Sequence, residues 1–148
     1  MSMSLQSWLN NGWLVAHQTS PQEIADLLAV ADRDLKDSQT PGLSSDWQLN
    51  IAYNAALQAA TAVLAACGYR AAREAYHYRI IQSLTYTIGA SEGLIIQFDR
   101  FRKKRNIGAY DRAGAVSDQE ASEMGLLAQR LRKEIEDWIR KNKPELLE

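Results

Sequence analysis

The residues in this sequence that could act on an anion are concentrated between positions 99 and 112. Four basic residues follow one another at 102–105, and further polar and basic residues come directly after them. A guanidinium can donate two parallel hydrogen bonds to a phosphate, and neighbouring cations add an attractive field. Arg105, with Lys104 and Arg112 near it in sequence, is therefore a candidate for contacting a phosphate group.

The same residues also have a simpler structural interpretation. Basic side chains near the C-terminal end of a helix interact favourably with its dipole, so positions 102–105 would then be a solvated helix end. Tyr110 would be an aromatic residue at the edge of the core, with its hydroxyl bonded to backbone. Under this alternative the protein is a protein–protein interaction module without a ligand of its own.

Other chemically active side chains are few. The single cysteine, Cys67, lies in an apolar, Ala-rich stretch, which favours a buried and unreactive thiol. The two histidines, His17 and His77, are far apart in sequence and form no Cys/His cluster, so we expect no metal. The glycines match no phosphate-binding or dinucleotide-binding loop, and we expect no cofactor. His77 lies among tyrosines, a setting typical of packing, and would serve catalysis only if the helices bring it beside Arg105.

Length and composition predict one folded domain over residues 1–148. Hydrophobic residues make up 46% of the chain and charged residues 24%, values that exclude a disordered protein. The net charge of −1 gives no general attraction to nucleic acid or to membranes, so any such affinity must be local. The start of the chain is polar, no apolar run approaches about twenty residues, and we expect a cytoplasmic protein without a membrane partner.

Start and stop signals predict the elements that must position the candidate residues. Ser20-Pro21-Gln22-Glu23, Ser45-Asp46-Trp47-Gln48 and Ser117-Asp118-Gln119-Glu120 each have the pattern of a helix start, and Gly68 and Pro144 are stop signals. Three further helices are indicated, two longer ones at 71–88 and from 91, and a shorter one at the N-terminal end. The predicted helices run from about 5 to 17, from 21 to a stop at 40–42, from 45 to 66, from 71 to 88, from 91 through the basic segment, and from 118 to about 141.

The sequence predicts an all-α fold without strands, because no segment alternates apolar and polar residues between turn signals. We expect a compact, up-and-down bundle of four to five helices, with a loop from Ala109 to Val116. The Ala-rich stretch at 45–66 allows a neighbouring helix to approach closely, and aromatic residues flank it. This apolar surface exceeds what a small bundle covers, so we also expect a symmetric homodimer built on helices.

One resemblance covers most of the chain, from about 44 to 138. Arg105-Asn106 is followed by Tyr110, and it is preceded by the Ala-rich helix ending in Cys67-Gly68-Tyr69-Arg70 and by a helix containing His77. In the order of these parts the chain resembles the HEPN (higher eukaryotes and prokaryotes nucleotide-binding) superfamily. This resemblance implies a small helical bundle, often dimeric, and in many members a metal-independent ribonuclease that is one partner of a toxin–antitoxin pair.

The resemblance also singles out a departure in the motif. Where the ribonuclease branch has Arg, a polar residue and then His, this sequence has Arg105, Asn106 and Tyr110. RNA cleavage needs proton transfer near neutral pH, and a phenol with a pKa near 10 would need a shift of about three units, roughly 4 kcal/mol, to match imidazole. From the resemblance we therefore predict that Arg105, Asn106, Tyr110, Lys104 and Arg112 bind a phosphate-bearing ligand, RNA or a nucleotide, without cleaving it. The alternative is a ribonuclease using Arg105 together with Tyr110 or His77.

Overall fold

The computed structural model describes the backbone of residues 3–110 and 116–148 and the side chains of 3–105 and 116–148. Within these residues the fold is mostly helical and compact, as predicted, with a single small sheet. Its elements are α1 (Leu5–Asn10), β1 (Leu14–Ala16), α2 (Pro21–Asp37), α3 (Ser45–Ala66), β2 (Tyr69–Ala71), α4 (Tyr76–Ser83), α5 (Glu92–Tyr110), α6 (Asp118–Asn142) and a 3-10 helix (Pro144–Leu147).

The helix starts at α2 and α6 are the ones that the sequence predicts. The Ser20 hydroxyl accepts the backbone N–H of Glu23 at 3.1 Å, and Pro21 is the first residue of α2. At α6 the Ser117 hydroxyl accepts the N–H of Glu120 at 3.0 Å, and the Glu120 carboxylate accepts the N–H of Ser117 at 3.0 Å. These bonds satisfy N–H groups that a helix start leaves without intrahelical partners.

The start of α3 differs from the prediction by one residue. Ser44, which has an extended backbone, accepts the N–H of Trp47 at 3.3 Å and is the capping residue. Ser45 lies inside the helix, and its hydroxyl bonds the carboxylate of Asp118 instead. This contact joins the first turns of α3 and α6, so both helices start at the same end of the fold.

The core is built around α3. Thirteen of its residues are buried, among them most of its alanines, and α2 and α6 pack along it. The Ala-rich surface expected to drive dimerisation is therefore already covered inside one chain. By length and composition alone α3 could also cross a membrane, but 72% of its apolar window is buried within the fold, as in the core helix of a bundle.

The two strands are a correction to the sequence prediction. β1 and β2 pair antiparallel, with Leu14 opposite Ala71 and Ala16 opposite Tyr69. The predicted helices at 5–17 and 71–88 are therefore shorter, and the described residues form six helices rather than four to five. Strands of three residues are too short to show an alternating pattern. The glycine before each strand, Gly12 with φ 78° and Gly68 with φ 96°, has a backbone conformation that ends a helix.

The short helix α4 starts without a side-chain cap. The residue before it, Ala75, has φ 55° and ψ 38°, a left-handed conformation that is unfavourable for a residue with a Cβ atom. The inner face of α4 buries Ile80 and Ile81, and this helix packs against both α3 and α5. These contacts hold α4 in the position that brings His77 to the other two helices.

Candidate functional site

Four polar side chains meet where α3, α4 and α5 pack together, and we call them the corner cluster. Tyr53 comes from α3, His77 from α4, and Arg102 and Arg105 from successive turns of α5. Two of the four, Arg105 and His77, are residues that the sequence singled out. The other two come into the cluster through helix packing.

Tyr53 is the buried centre of the corner cluster. Only 1% of its surface is exposed, and its ring contacts Phe98 edge to face at a centroid distance of 5.6 Å. Its hydroxyl lies 3.2 Å from Nδ1 of His77. Burial raises the pKa of Tyr53, and this effect outweighs the opposing pull of the Arg105 and Arg102 charges. Tyr53 is therefore a neutral phenol at any physiological pH.

His77 is half-buried beside this phenol. Burial lowers its pKa below the ordinary 6.5, and the positive charges of Arg105 and Arg102 lower the pKa further. The imidazole is therefore uncharged near neutral pH. The packing of α4 on α5 thus places a neutral imidazole within electrostatic range of Arg105, which is the arrangement that the sequence left open.

Arg105 packs its guanidinium on the face of Tyr53. The guanidinium carbon lies 5.2 Å from the centre of the Tyr53 ring, a cation–π geometry. The Nε atom of Arg105 is buried and has no hydrogen-bond partner among the described residues. A buried donor left without an acceptor destabilises a protein by about 1–3 kcal/mol.

The three basic residues before Arg105 differ from it, because each has a carboxylate nearby. Arg102 donates to Asp99 at 2.7 Å, and Lys103 lies 3.6 Å from the same carboxylate. Lys104 lies 3.6 Å from Glu120 of α6. Arg105 is the one residue of the 102–105 run with no carboxylate of the described residues within 4.0 Å.

The remaining predicted site residues lie outside what the structure describes. The backbone at positions 106–110 belongs to α5, but the side chains of Asn106 and Tyr110 are not among those described, and Arg112 is outside the described backbone as well. Their placement around the corner cluster stays a prediction. The loop predicted from Ala109 to Val116 starts too early, because the backbone at positions 109–110 is still helical, and positions 111–115 lie outside the described residues.

A second arginine on aromatic rings positions α4. The guanidinium carbon of Arg79 lies 3.8 Å from the centre of the Trp13 ring and 5.5 Å from those of Trp8 and Tyr78. Trp8 and Trp13 belong to the segment around α1 and β1. The N-terminal segment therefore packs on the helix that bears His77.

Sequence reasoning missed Tyr53 and the role of Arg102. Tyr53 is the only tyrosine in the Ala-rich stretch at 45–66, and one large aromatic among alanines was a usable signal. What could not be read was its neighbour, since contact with His77 depends on how α4 packs. In the described part of the chain no group of three or more His, Cys, Asp or Glu side chains could hold a metal ion.

Comparison with known proteins assigns no family to the chain. No protein-family model matches it, and a search of curated proteins finds no match. The likeness to the HEPN superfamily therefore stays a prediction from the residues quoted above. Function has to be inferred from the geometry of the corner cluster.

Proposed function

We propose that this protein is a HEPN-like binding protein that holds a phosphate-bearing ligand, RNA or a nucleotide, at the corner cluster without cleaving it. One observation carries the proposal. The half-buried guanidinium of Arg105 is fixed on the Tyr53 ring and has no carboxylate partner among the described side chains.

The state of Arg105 favours an anionic ligand on energetic grounds. A charged group that is partly removed from water is costly unless it is paired and hydrogen-bonded. A phosphate would supply both, because its oxygens accept two parallel bonds from a guanidinium. The Tyr53 ring keeps the guanidinium plane oriented before the ligand arrives, which reduces the entropy lost on binding.

The surrounding charges add a local positive field. Arg102 and Lys103 share the single carboxylate of Asp99, so this trio keeps a net positive charge. Lys104 is largely balanced by Glu120 and contributes less. Because the whole chain carries a net charge of −1, attraction acts only near the cluster, and we expect it to weaken steeply with salt.

The other predicted residues take secondary roles in this proposal. Asn106 would orient the phosphate held by Arg105, and Arg112 would strengthen the field. Tyr110, at the position of the motif histidine, would leave the protein without proton-transfer chemistry. From the resemblance we also propose an operon-encoded partner protein, as in toxin–antitoxin or defence-type pairs.

The test is a titration of labelled single-stranded RNA, and separately of ATP, with purified protein at two salt concentrations. We expect weak binding that decreases with salt and that Arg105→Ala weakens strongly. Lys36→Ala is the matched control, since Lys36 is an exposed cation in the last turn of α2, outside the corner cluster. Equal binding by the native protein and by Arg105→Ala would contradict the proposal.

A second candidate function, a metal-independent ribonuclease, is favoured by one specific observation. His77 is neutral and lies against the Tyr53 hydroxyl beside Arg105. When Nδ1–H of His77 donates to the Tyr53 oxygen, Nε2 keeps a lone pair and can accept a proton. Arg105 would then stabilise charge on the phosphate.

A cleavage gel run beside the titration separates the two functions. With a chelator present at neutral pH, we expect no cleavage by the native protein. Cleavage that is lost in His77→Ala or in Tyr110→Phe would replace the binding protein with the enzyme. If the native protein neither binds nor cleaves, the interaction module without a ligand is the function that stands.

A further inference from the structure

The most exposed large hydrophobic side chain in the described residues is Leu126, in the middle of α6. Its relative exposure is 63%, whereas the next residue, Leu127, is 6% exposed and faces the core. The outer face of α6 otherwise carries polar side chains, including Ser122, Gln129 and Lys133. Leu126 is thus an isolated apolar side chain on a polar helix face, and the residues around it indicate why it is exposed.

A groove of about 200 Å³ between α5 and α6 lies directly beside Leu126. Its α6 side is formed by Glu123, Leu126, Leu127 and Arg130, which are spaced i, i+3, i+4 and i+7. Four residues at this spacing form the hole that accepts a side chain from a facing helix in knobs-into-holes packing. Leu94 and Gln97 of α5 complete the groove, and Leu94 and Leu127 supply apolar surface inside it.

The protruding Leu126 and the groove that could accept a leucine from a second helix therefore lie side by side on α6. A surface that carries both can pair with itself when two copies meet across a two-fold axis, because each copy offers the same patch to the other. For α6 this requires an antiparallel pair centred between Leu126 and Leu127. Leu126 of each copy then enters the groove of the other.

The charges around the groove are arranged for the same pairing. Glu123 and Arg130 are equally far in sequence from the midpoint between Leu126 and Leu127, and so are Glu120 and Lys133. In an antiparallel pair centred there, Glu123 faces Arg130 of the partner subunit and Glu120 faces Lys133 of the partner subunit. Both glutamates of the first half of α6 thus meet a basic residue.

Within one chain the two central charges are only loosely engaged. Glu123 lies 3.7 Å from Arg100, whose side chain is 61% exposed, and Arg130 bonds Glu134 while itself 66% exposed. Exposed pairs of this kind are worth about 0–1 kcal/mol, so exchanging them for contacts across an interface costs little.

We infer that the outer face of α6 is the interface for a second copy of this chain, formed by antiparallel α6 helices with Leu126 in the groove of the partner. The inference is independent of the ligand proposed above, since the corner cluster uses none of these residues. One helix pair with an adjoining helix forms an interface at the small end of the stable range. The expected dimer therefore forms at micromolar rather than nanomolar concentration.

The first experiment measures mass by light scattering at tens of micromolar. We expect the native protein to give twice its chain mass of 16.6 kDa, and Leu126→Lys to give the chain mass itself. Val15→Lys is the control, because Val15 is an exposed apolar residue of β1, away from α6, and the dimer should persist. A monomeric native protein, or a Leu126→Lys protein that stays dimeric, would overturn the inference.

The second experiment tests the register by exchanging charges. Glu123→Arg and Arg130→Glu should each weaken self-association at least about tenfold, since like charges then face each other across the axis. An equimolar mixture of the two variants should form heterodimers, because each meets its opposite. Circular dichroism confirms that both variants fold. Variants that self-associate as the native protein does, or a mixture that remains monomeric, would refute this register.

Discussion

Two parts of the molecule use similar residues in opposite ways: the seam where α6 packs against α2 and α3, and the corner cluster. In the seam, Arg132 is half-buried and each of its three side-chain nitrogens donates to a carboxylate. Its Nε and Nη2 donate to Asp32 at 2.9 and 3.0 Å, and its Nη1 donates to Glu136 at 3.1 Å. In the corner cluster, Arg105 rests on Tyr53 with no carboxylate partner among the described side chains.

The difference indicates how a structural arginine differs from the ligand-binding one that we propose. Arg132 links α6 to α2 through Asp32, and its bonds to carboxylates leave few donors for a ligand. Arg105 lies on the Tyr53 ring without a carboxylate partner among the described residues, which is why we propose it for ligand binding. Residue type and burial are alike in the two places, so the partners decide the role.

The largest effect should come from the apolar part of the seam. Leu131 is 0% exposed and lies one residue before Arg132. Leu131→Ala should lower the free energy of unfolding by about 2–5 kcal/mol, because it leaves a cavity among packed side chains. Urea denaturation measures this. We expect the folded variant to bind RNA as the native protein does. A loss of binding would contradict the separation of a structural region from a binding region.

Replacing either arginine by alanine should give the next largest effect, and the property that changes should differ between the two variants. Arg105→Ala should weaken ligand binding by about 1.5–3 kcal/mol, the value of hydrogen bonds to a charged group, with little change in stability. Arg132→Ala should lower stability by up to about 1 kcal/mol, since Asp32 is 57% exposed, and should leave binding intact. Titration and melting of both variants check this pair. Similar profiles for the two variants would remove the distinction.

A smaller effect is expected at the start of α6. Ser117→Ala removes the acceptor of the Glu120 N–H bond and should lower the free energy of unfolding by about 1 kcal/mol. Its rank below Leu131→Ala is the informative result, because a cap at the helix end is solvated when lost and a core cavity is not. Melts that ranked the two substitutions in the reverse order would contradict the placement of α6.

The smallest expected effect concerns the pKa of His77 in the corner cluster. The pKa of His77 is lowered in the folded protein, so the unfolded chain takes up the proton first as the pH falls below about 6.5. Stability from this group is complete above that pH and decreases as the pH falls toward the folded-state pKa. NMR titration of the imidazole should give a pKa below 6.5 that rises in Arg105→Ala and stays the same in Arg132→Ala. A native pKa at or above 6.5 would show that the burial of His77 is overstated.

The parts of the fold that the sequence predicted are those with local causes. The caps Ser20 and Ser117 bond backbone groups three residues away, so neighbouring residues determine them. The strands could not be predicted in this way, because each has three residues and exists only by pairing with a segment far along the chain. The left-handed Ala75, which delays the start of α4, likewise has no signature in its residue type.

The residues of the candidate site likewise divide into those that the sequence could predict and those that depend on packing. Arg105 and His77 were candidates because their chemistry is visible in the residue type. Tyr53 was not, since its role follows from the packing of three helices at one point. The homodimer stays a prediction, but an uncovered Ala-rich surface is no longer a reason for it, because α2 and α6 cover α3 within one chain.

The pairing of β1 with β2 has a practical consequence for handling the protein. Trp13 precedes β1 and stacks on Arg79 of α4, so the segment from Trp8 to Ala16 supports the helix that presents His77. Shortening this end, or fusing a bulky domain close to Leu5, would loosen the imidazole without touching any residue of the cluster. Glu148, which follows the 3-10 helix, is exposed. An affinity tag or fluorescent label attached there would leave the contact of Trp13 with Arg79 in place.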